Sequence, residues 1–182
     1  MVLKGQLCTL RRWTMGDADA LARHADNLEI ARQLRDRFPH PYRPEDARAF
    51  VKVVVPVDPP RNFAIVVAGE ACGGLGYEPG TDVERFSAEV GYWLGQECWG
   101  RGIGTEALRL FTSYAFEELG LLRVFALPFA DNAASVRILE KAGYTREGTL
   151  RSSSVKYGQA RDQAMYAIVN DNWSAARPRT AR

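Results

Sequence analysis

Residues 99–107 read Trp-Gly-Arg-Gly-Ile-Gly-Thr-Glu-Ala, and they decide how the middle of the chain folds. The run before them, 85–94, puts Phe86, Ala88, Val90, Tyr92 and Leu94 on one face of a strand and Ser87, Glu89, Gly91 and Trp93 on the other. After them, Ile103, Ala107, Leu110, Phe111 and Tyr114 recur at helical spacing, so a helix over 102–119 is predicted, with Gly120 as its stop. Glycines at such a junction let backbone N–H groups approach an anion at the positive end of a helix, which predicts a phosphate or pyrophosphate ligand. A short apolar run at 123–127 follows, and the strand, helix and strand make a right-handed parallel crossover.

Outward from this unit, 7–13 predicts a first strand and 18–34 a helix in one or two pieces, entered through Met15-Gly16-Asp17. Prolines at 39, 41 and 44 make 38–44 a loop, and Pro44 with Glu45 and Asp46 opens a helix to about residue 55. Strands at 62–68 and 71–77 flank a Gly69-Glu70 turn. Downstream, 131–144 reads Asp-Asn-Ala-Ala-Ser-Val-Arg-Ile-Leu-Glu-Lys-Ala-Gly-Tyr, a capped helix over 132–142 ended by Gly143. Two last strands, 144–150 and 160–169, join through a hairpin tip at Tyr157-Gly158-Gln159. The expectation is one α/β domain over 1–174 with a mixed, mostly antiparallel sheet, a central parallel strand pair and flanking helices; 175–182 is read as a flexible basic tail.

Composition excludes several classes. With 182 residues, 46% hydrophobic and 25% charged, the chain reads as an ordinary globular domain. Its 24 Lys+Arg nearly balance 22 Asp+Glu, so no nucleic-acid partner is implied. Cys8, Cys72 and Cys98 are isolated, and only His24 and His40 could supply imidazoles. That pattern supports neither a disulfide framework nor a metal site and suits a reducing, cytoplasmic compartment. No stretch reads as a signal sequence or is long enough to span a bilayer.

Three chemistries compete for the glycine loop. A plain turn needs fewer than three glycines in five residues, and a P-loop needs a Lys-Ser/Thr pair that is missing here. Gly102-Ile-Gly104-Thr-Glu-Ala107 fits the relaxed dinucleotide pattern, but the next strand ends Ala126-Leu127-Pro128 instead of on an acid. Glu89 is either a polar-face residue of a half-exposed strand or a proton-accepting carboxylate about 15–20 Å from the loop. Asn132 and Ser135 share one face at the start of a helix, where capping is the simplest reading.

Taken together, 99–107 and 131–144 resemble the acetyl-CoA-binding core of the GNAT acyltransferase superfamily, with Trp99, Gly102 and Gly104 at the motif's key positions. Trp-Gly-Arg-Gly, Ala-Glu-Val-Gly-Tyr-Trp-Leu from Ala88 and Asn-x-x-Ser from Asn132 are similar to the branch of ribosomal-protein N-terminal acetyltransferases. The resemblance implies an N-acetyltransferase in which Trp93, Leu94, Arg101, Gly102, Ile103, Gly104, Thr105, Asn132 and Ser135 bind acetyl-CoA. It implies Glu89 as general base and Ser135 as proton donor or sulfur ligand, since Leu139 stands where many members carry a tyrosine acid. It also implies substrate-side roles for Phe38, Tyr42, Arg151 and Tyr157, a structural role for Asp162, core packing for Tyr144, and no metal.

The acceptor implied by the branch is a protein or peptide N-terminus, whose amine titrates at about 7.7–8.0 and so needs only a modest base. Polyamine acetylation calls for an acidic pocket, whereas 35–48 carries Arg35, Arg37, Arg43 and Arg48 against Asp36, Glu45 and Asp46. A small-molecule amine, or a non-catalytic acyl-CoA-binding module, are the alternatives. The chain is expected to act as a monomer or homodimer, away from membranes.

Overall fold

A computed structural model describes residues 1–174 of the chain, and the expected tail at 175–182 lies outside the described residues. Eight strands form a single sheet in the order β1-β2-β3-β4-β5-β6-β8-β7. These are β1 Val2–Lys4, β2 Thr9–Arg12, β3 Asn62–Val67, β4 Glu70–Pro79, β5 Ser87–Leu94, β6 Arg123–Ala126, β7 Thr145–Lys156 and β8 Gln159–Val169. Only β5 and β6 are parallel, as the crossover requires. The expected mixed sheet with a central parallel pair is therefore what the chain forms.

Helices cover both faces. On one side lie α1 Ala18–Ala25, α2 Leu28–Ala31 and α3 Pro44–Val54; on the other, α4 Ile103–Glu117 and α5 Ala133–Ala142. Alternation along β5 feeds two cores. Ala88, Val90 and Leu94 pack under α4 and α5 with Phe63, Leu108, Phe111 and Leu139, while Trp93 turns to the opposite core of Trp13, Leu21, Tyr42 and Val51. Tyr144 is buried as expected, its hydroxyl 2.8 Å from that of Thr112.

Two strands differ from expectation. β1 has no alternating signature; it forms because the turn that follows it is docked on Glu106, whose carboxylate accepts the N–H groups of Gln6 (2.9 Å), Leu7 (2.7 Å) and Cys8 (2.8 Å). That turn occupies the residues expected to begin the first strand, so β2 starts only at Thr9. β7 runs on to Lys156, through register irregularities near Arg146 and Leu150 that disguise its continuity in the sequence.

Candidate active site

The site begins with a split in the sheet. β5 stays paired with β4 as far as Leu94, but on its other side only Ser87, Glu89 and the residue between them meet β6. Beyond Ala126 the chain follows β8 instead: the Ala164 N–H donates to the Pro128 carbonyl (3.0 Å) and the Ala130 N–H to the Asp162 carbonyl (2.9 Å). The second half of β5 thus exposes a backbone edge to the opening. Such N–H and C=O groups need partners, and an extended amide chain laid along the edge would supply them.

Two helix N-termini flank this opening, and they differ. At α5 the Asn132 side chain accepts the Ser135 N–H at 3.1 Å, an N-cap that satisfies one free donor. At α4 no side chain caps the helix; the cap residue is Gly102 at φ +80°, and the first helical bond runs from the Glu106 N–H to the Gly102 carbonyl. The N–H groups of Ile103, Gly104 and Thr105 therefore remain available to an anion. Gly104 also allows close packing. A Cβ there would stand 2.9 Å from Ile138 Cδ1 and 3.3 Å from Leu94 Cδ1, so its absence lets α4 seat against α5 and β5.

Strand alternation sends the chemistry to opposite faces. Glu89 faces the α1–α3 side, where the Arg35 guanidinium from the loop between α2 and α3 lies 2.5 Å from its carboxylate. Tyr92 faces the other side, with its hydroxyl 2.9 Å from Ser135 Oγ and 3.3 Å from the Ser135 carbonyl. A carboxylate on one face and a hydroxyl pair on the other, across a slot in the sheet, suit attack from one side and departure to the other. Cys8, Cys72 and Cys98 are all buried, and burial pushes the Cys8 thiol up to about 12 and raises that of Cys72 as well. None is placed as an acyl-accepting nucleophile.

A family model described as an acetyltransferase (GNAT) domain matches residues 8–145. The chain belongs to the GNAT acetyltransferases. It is 31% identical over 138 residues to YdaF of Bacillus subtilis, provisionally named a ribosomal N-acetyltransferase, covering 71% of this chain and 74% of that one. It is 27% identical over 169 residues to the uncharacterized N-acetyltransferase p20 of Bacillus licheniformis, covering 91% and 94%. Among solved structures, Mycobacterium smegmatis RimJ in complex with CoA-disulfide matches with a TM-score of 0.80 at 26% identity, covering 92% of this chain and 84% of that one.

Within this GNAT chain, several expected site residues offer something other than their side chains. Leu94 and Ile103 are buried, so they present only backbone to the opening, and the Leu94 carbonyl already accepts the Trp99 indole N–H at 2.8 Å. Trp93 lies under Phe38, ring centroids 5.5 Å apart, on the Glu89 side. Tyr42 is 6% exposed and sits 4.8 Å behind Phe38, which it supports from within the core. Arg101 and Arg151 are exposed, and Tyr157 is exposed at the hairpin tip. Asp162 accepts the Ser152 N–H at 2.8 Å, the structural role expected of it.

Sequence reasoning missed the pairings that fix the loop between α2 and α3. Arg35 pairs with Glu89, Lys156 Nζ donates to Asp36 at 2.8 Å, and Arg161 Nη1 donates to the Arg32 carbonyl at 3.1 Å. It also assigned Tyr92 to the core face without asking where its hydroxyl goes. A tyrosine at an inward-facing strand position needs a hydroxyl partner, and that was the available signal. Among the described residues no cluster of three or more His, Cys, Asp or Glu is placed to hold a metal, and no helix is long and apolar enough to cross a membrane.

Proposed function

We propose that residues 1–174 form one acetyl-CoA-dependent unit that acetylates the α-amine of a protein or peptide N-terminus in the cytoplasm, by direct attack. The observation that most directly supports this reading is the delivery of Glu89 and Ser135 to opposite faces of the sheet where β5 and β6 part. The free edge of β5 fits the amides of a pantetheine arm, and the N–H groups of Ile103, Gly104 and Thr105 fit its pyrophosphate, with Arg101 adding charge. Asn132 holds the first turn of α5 so that Ser135 lies beside the reacting sulfur.

Glu89 accepts the proton of the attacking amine, directly or through water, as the N–C bond forms. The C–S bond breaks, its electron pair leaves on sulfur, and the Ser135 hydroxyl donates a hydrogen bond to the developing thiolate. Solvent then supplies the proton of the free thiol. An α-amine, titrating at about 7.7–8.0, offers Glu89 a sizeable neutral fraction near neutral pH, whereas a lysine at about 10.4 offers almost none. Arg35 beside Glu89 and Arg37 near Glu78 disfavour a polycation such as spermidine, and the name given to YdaF points toward ribosomal proteins.

The test is thiol release from acetyl-CoA with short peptides of varied N-terminal residue, free amino acids, spermidine and an aminoglycoside, with mass spectrometry to locate the acetyl group. Release confined to peptides, labelled on the α-nitrogen, is expected. Release with a small amine alone would replace the acceptor, and binding without release across the panel would point to an acceptor outside the panel or to a non-catalytic acyl-CoA-binding module.

A further inference from the structure

Ser135 is held from two sides, by Asn132 on its N–H and by Tyr92 on its hydroxyl, and the second contact crosses from β5 to α5. A serine hydroxyl alone is a weak donor to a leaving thiolate. We infer that Tyr92 is a positioning residue for acetyl transfer, which frees the Ser135 hydroxyl hydrogen for sulfur by supplying its own hydrogen to Ser135 Oγ. This rests on the acetyltransferase reading above and adds a residue to it.

The argument is one of donor counting. Tyr92 has one hydroxyl hydrogen and two acceptors within reach, the Ser135 carbonyl at 3.3 Å and Ser135 Oγ at 2.9 Å. In the resting arrangement Tyr92 donates to the carbonyl and accepts from Oγ–H, leaving every hydrogen placed. When negative charge develops on sulfur, Oγ–H turns to it and the Tyr92 O–H redirects its hydrogen bond from the carbonyl to Oγ. No group is orphaned, and the two bonds in series polarise each other. Burial raises the Tyr92 pKa, so its hydroxyl keeps its hydrogen throughout the working range. No proton leaves either hydroxyl; the one lost by the amine goes to Glu89, and sulfur is protonated from solvent.

The experiment compares Tyr92→Phe, Ser135→Ala, Ser135→Thr and the double variant Tyr92→Phe/Ser135→Ala, using the peptide that the acceptor panel selects. Tyr92→Phe should lower kcat about tenfold with the KM for acetyl-CoA unchanged, the scale of losing one hydrogen bond in the transition state. The double variant should be no slower than Ser135→Ala, because Tyr92 acts only through that hydroxyl. Ser135→Thr, which keeps a hydroxyl beside Tyr92, should retain more activity than Ser135→Ala. Multiplying losses in the double variant, or an unchanged kcat in Tyr92→Phe, would overturn the inference; thermal melting of each variant separates misfolding from either result.

A second readout needs no acceptor. Bound coenzyme A should show a larger thiolate fraction, by ultraviolet absorbance at a fixed pH, in the wild type than in Tyr92→Phe or Ser135→Ala. Equal absorbance in all three would count against Tyr92 even if peptide acetylation succeeds. A panel with no acetylated amine, beside a Tyr92-dependent thiolate signal, would sink the transferase reading and leave the sulfur contact standing.

Discussion

Glu89 is the residue whose environment says most about its work. The carboxylate is about a quarter exposed, at 26%, and held by a guanidinium that is itself 56% exposed, an open pair that contributes little stability. An arriving amine can displace Arg35 without a large penalty. Glu89→Gln keeps the strand and removes the proposed proton acceptor, so kcat should fall about 100-fold or more while acetyl-CoA affinity, read by calorimetry, stays within about twofold. Loss of both in equal measure would return Glu89 to a structural role. Glu106 is a contrasting case. Burial pushes its carboxyl up, but the N–H bonds from Gln6, Leu7 and Cys8 outweigh this, and its pKa ends below the usual value. A depressed folded pKa gives stability that is present above the unfolded value of about 4.3 and lost as pH falls through the lower folded one. Glu106→Gln should therefore cost roughly 1–3 kcal/mol at neutral pH, and the gap to wild type in denaturant unfolding should close in acid.

The uncapped start of α4 shows which parts of an element can be read from sequence and which cannot. Gly100, Gly102 and Gly104 announce a strand-to-helix junction because glycine spacing is a local property of the chain. Which backbone groups are left over is also local, since Gly102 at φ +80° carries no side chain to cap the helix. By contrast, the contact that favours a glycine at 104 comes from Ile138, on another helix, and no spacing rule reveals it. The same limit hid β1, which depends on a carboxylate roughly a hundred positions away in the chain, and the Tyr92–Ser135 bond between β5 and α5. These differences rank substitutions. Gly104→Val should force α4 away from Ile138 and Leu94 at a cost of about 1–3 kcal/mol and abolish measurable coenzyme A binding. Arg101→Ala, at an exposed position, should weaken binding only about threefold to tenfold with a reduced salt dependence. Calorimetric titration at two ionic strengths distinguishes the two mechanisms, and a larger loss from Arg101→Ala would shift the anion contact from backbone to side chain.

Across the molecule, the sheet carries two cores on its two faces and is open between β5 and the chain that follows β6, so something must hold the halves in register. Arg161 of β8 is placed to do so. Its guanidinium stacks 3.8 Å from the Phe129 ring centroid, pairs with Asp131 just before α5, and donates to the Arg32 carbonyl at the end of α2 at 3.1 Å. One planar cation therefore bonds both the approach to Ser135 and the loop that carries Arg35 to Glu89. A planar fork can serve these partners together, while an ammonium at the same place is a single point and stacks poorly on the ring. Arg161→Lys preserves the charge but not this geometry. The variant should stay folded, losing about 1–2 kcal/mol of stability. Hydrogen exchange should quicken selectively over residues 32–37 and 129–132, and KM for the peptide acceptor should rise with acetyl-CoA affinity kept. If exchange quickens in both segments and KM does not move, the register of the halves is not what positions the acceptor. If neither changes, the loop is held by Lys156 and Asp36 instead, and the same measurements on Lys156→Met should then show the loss.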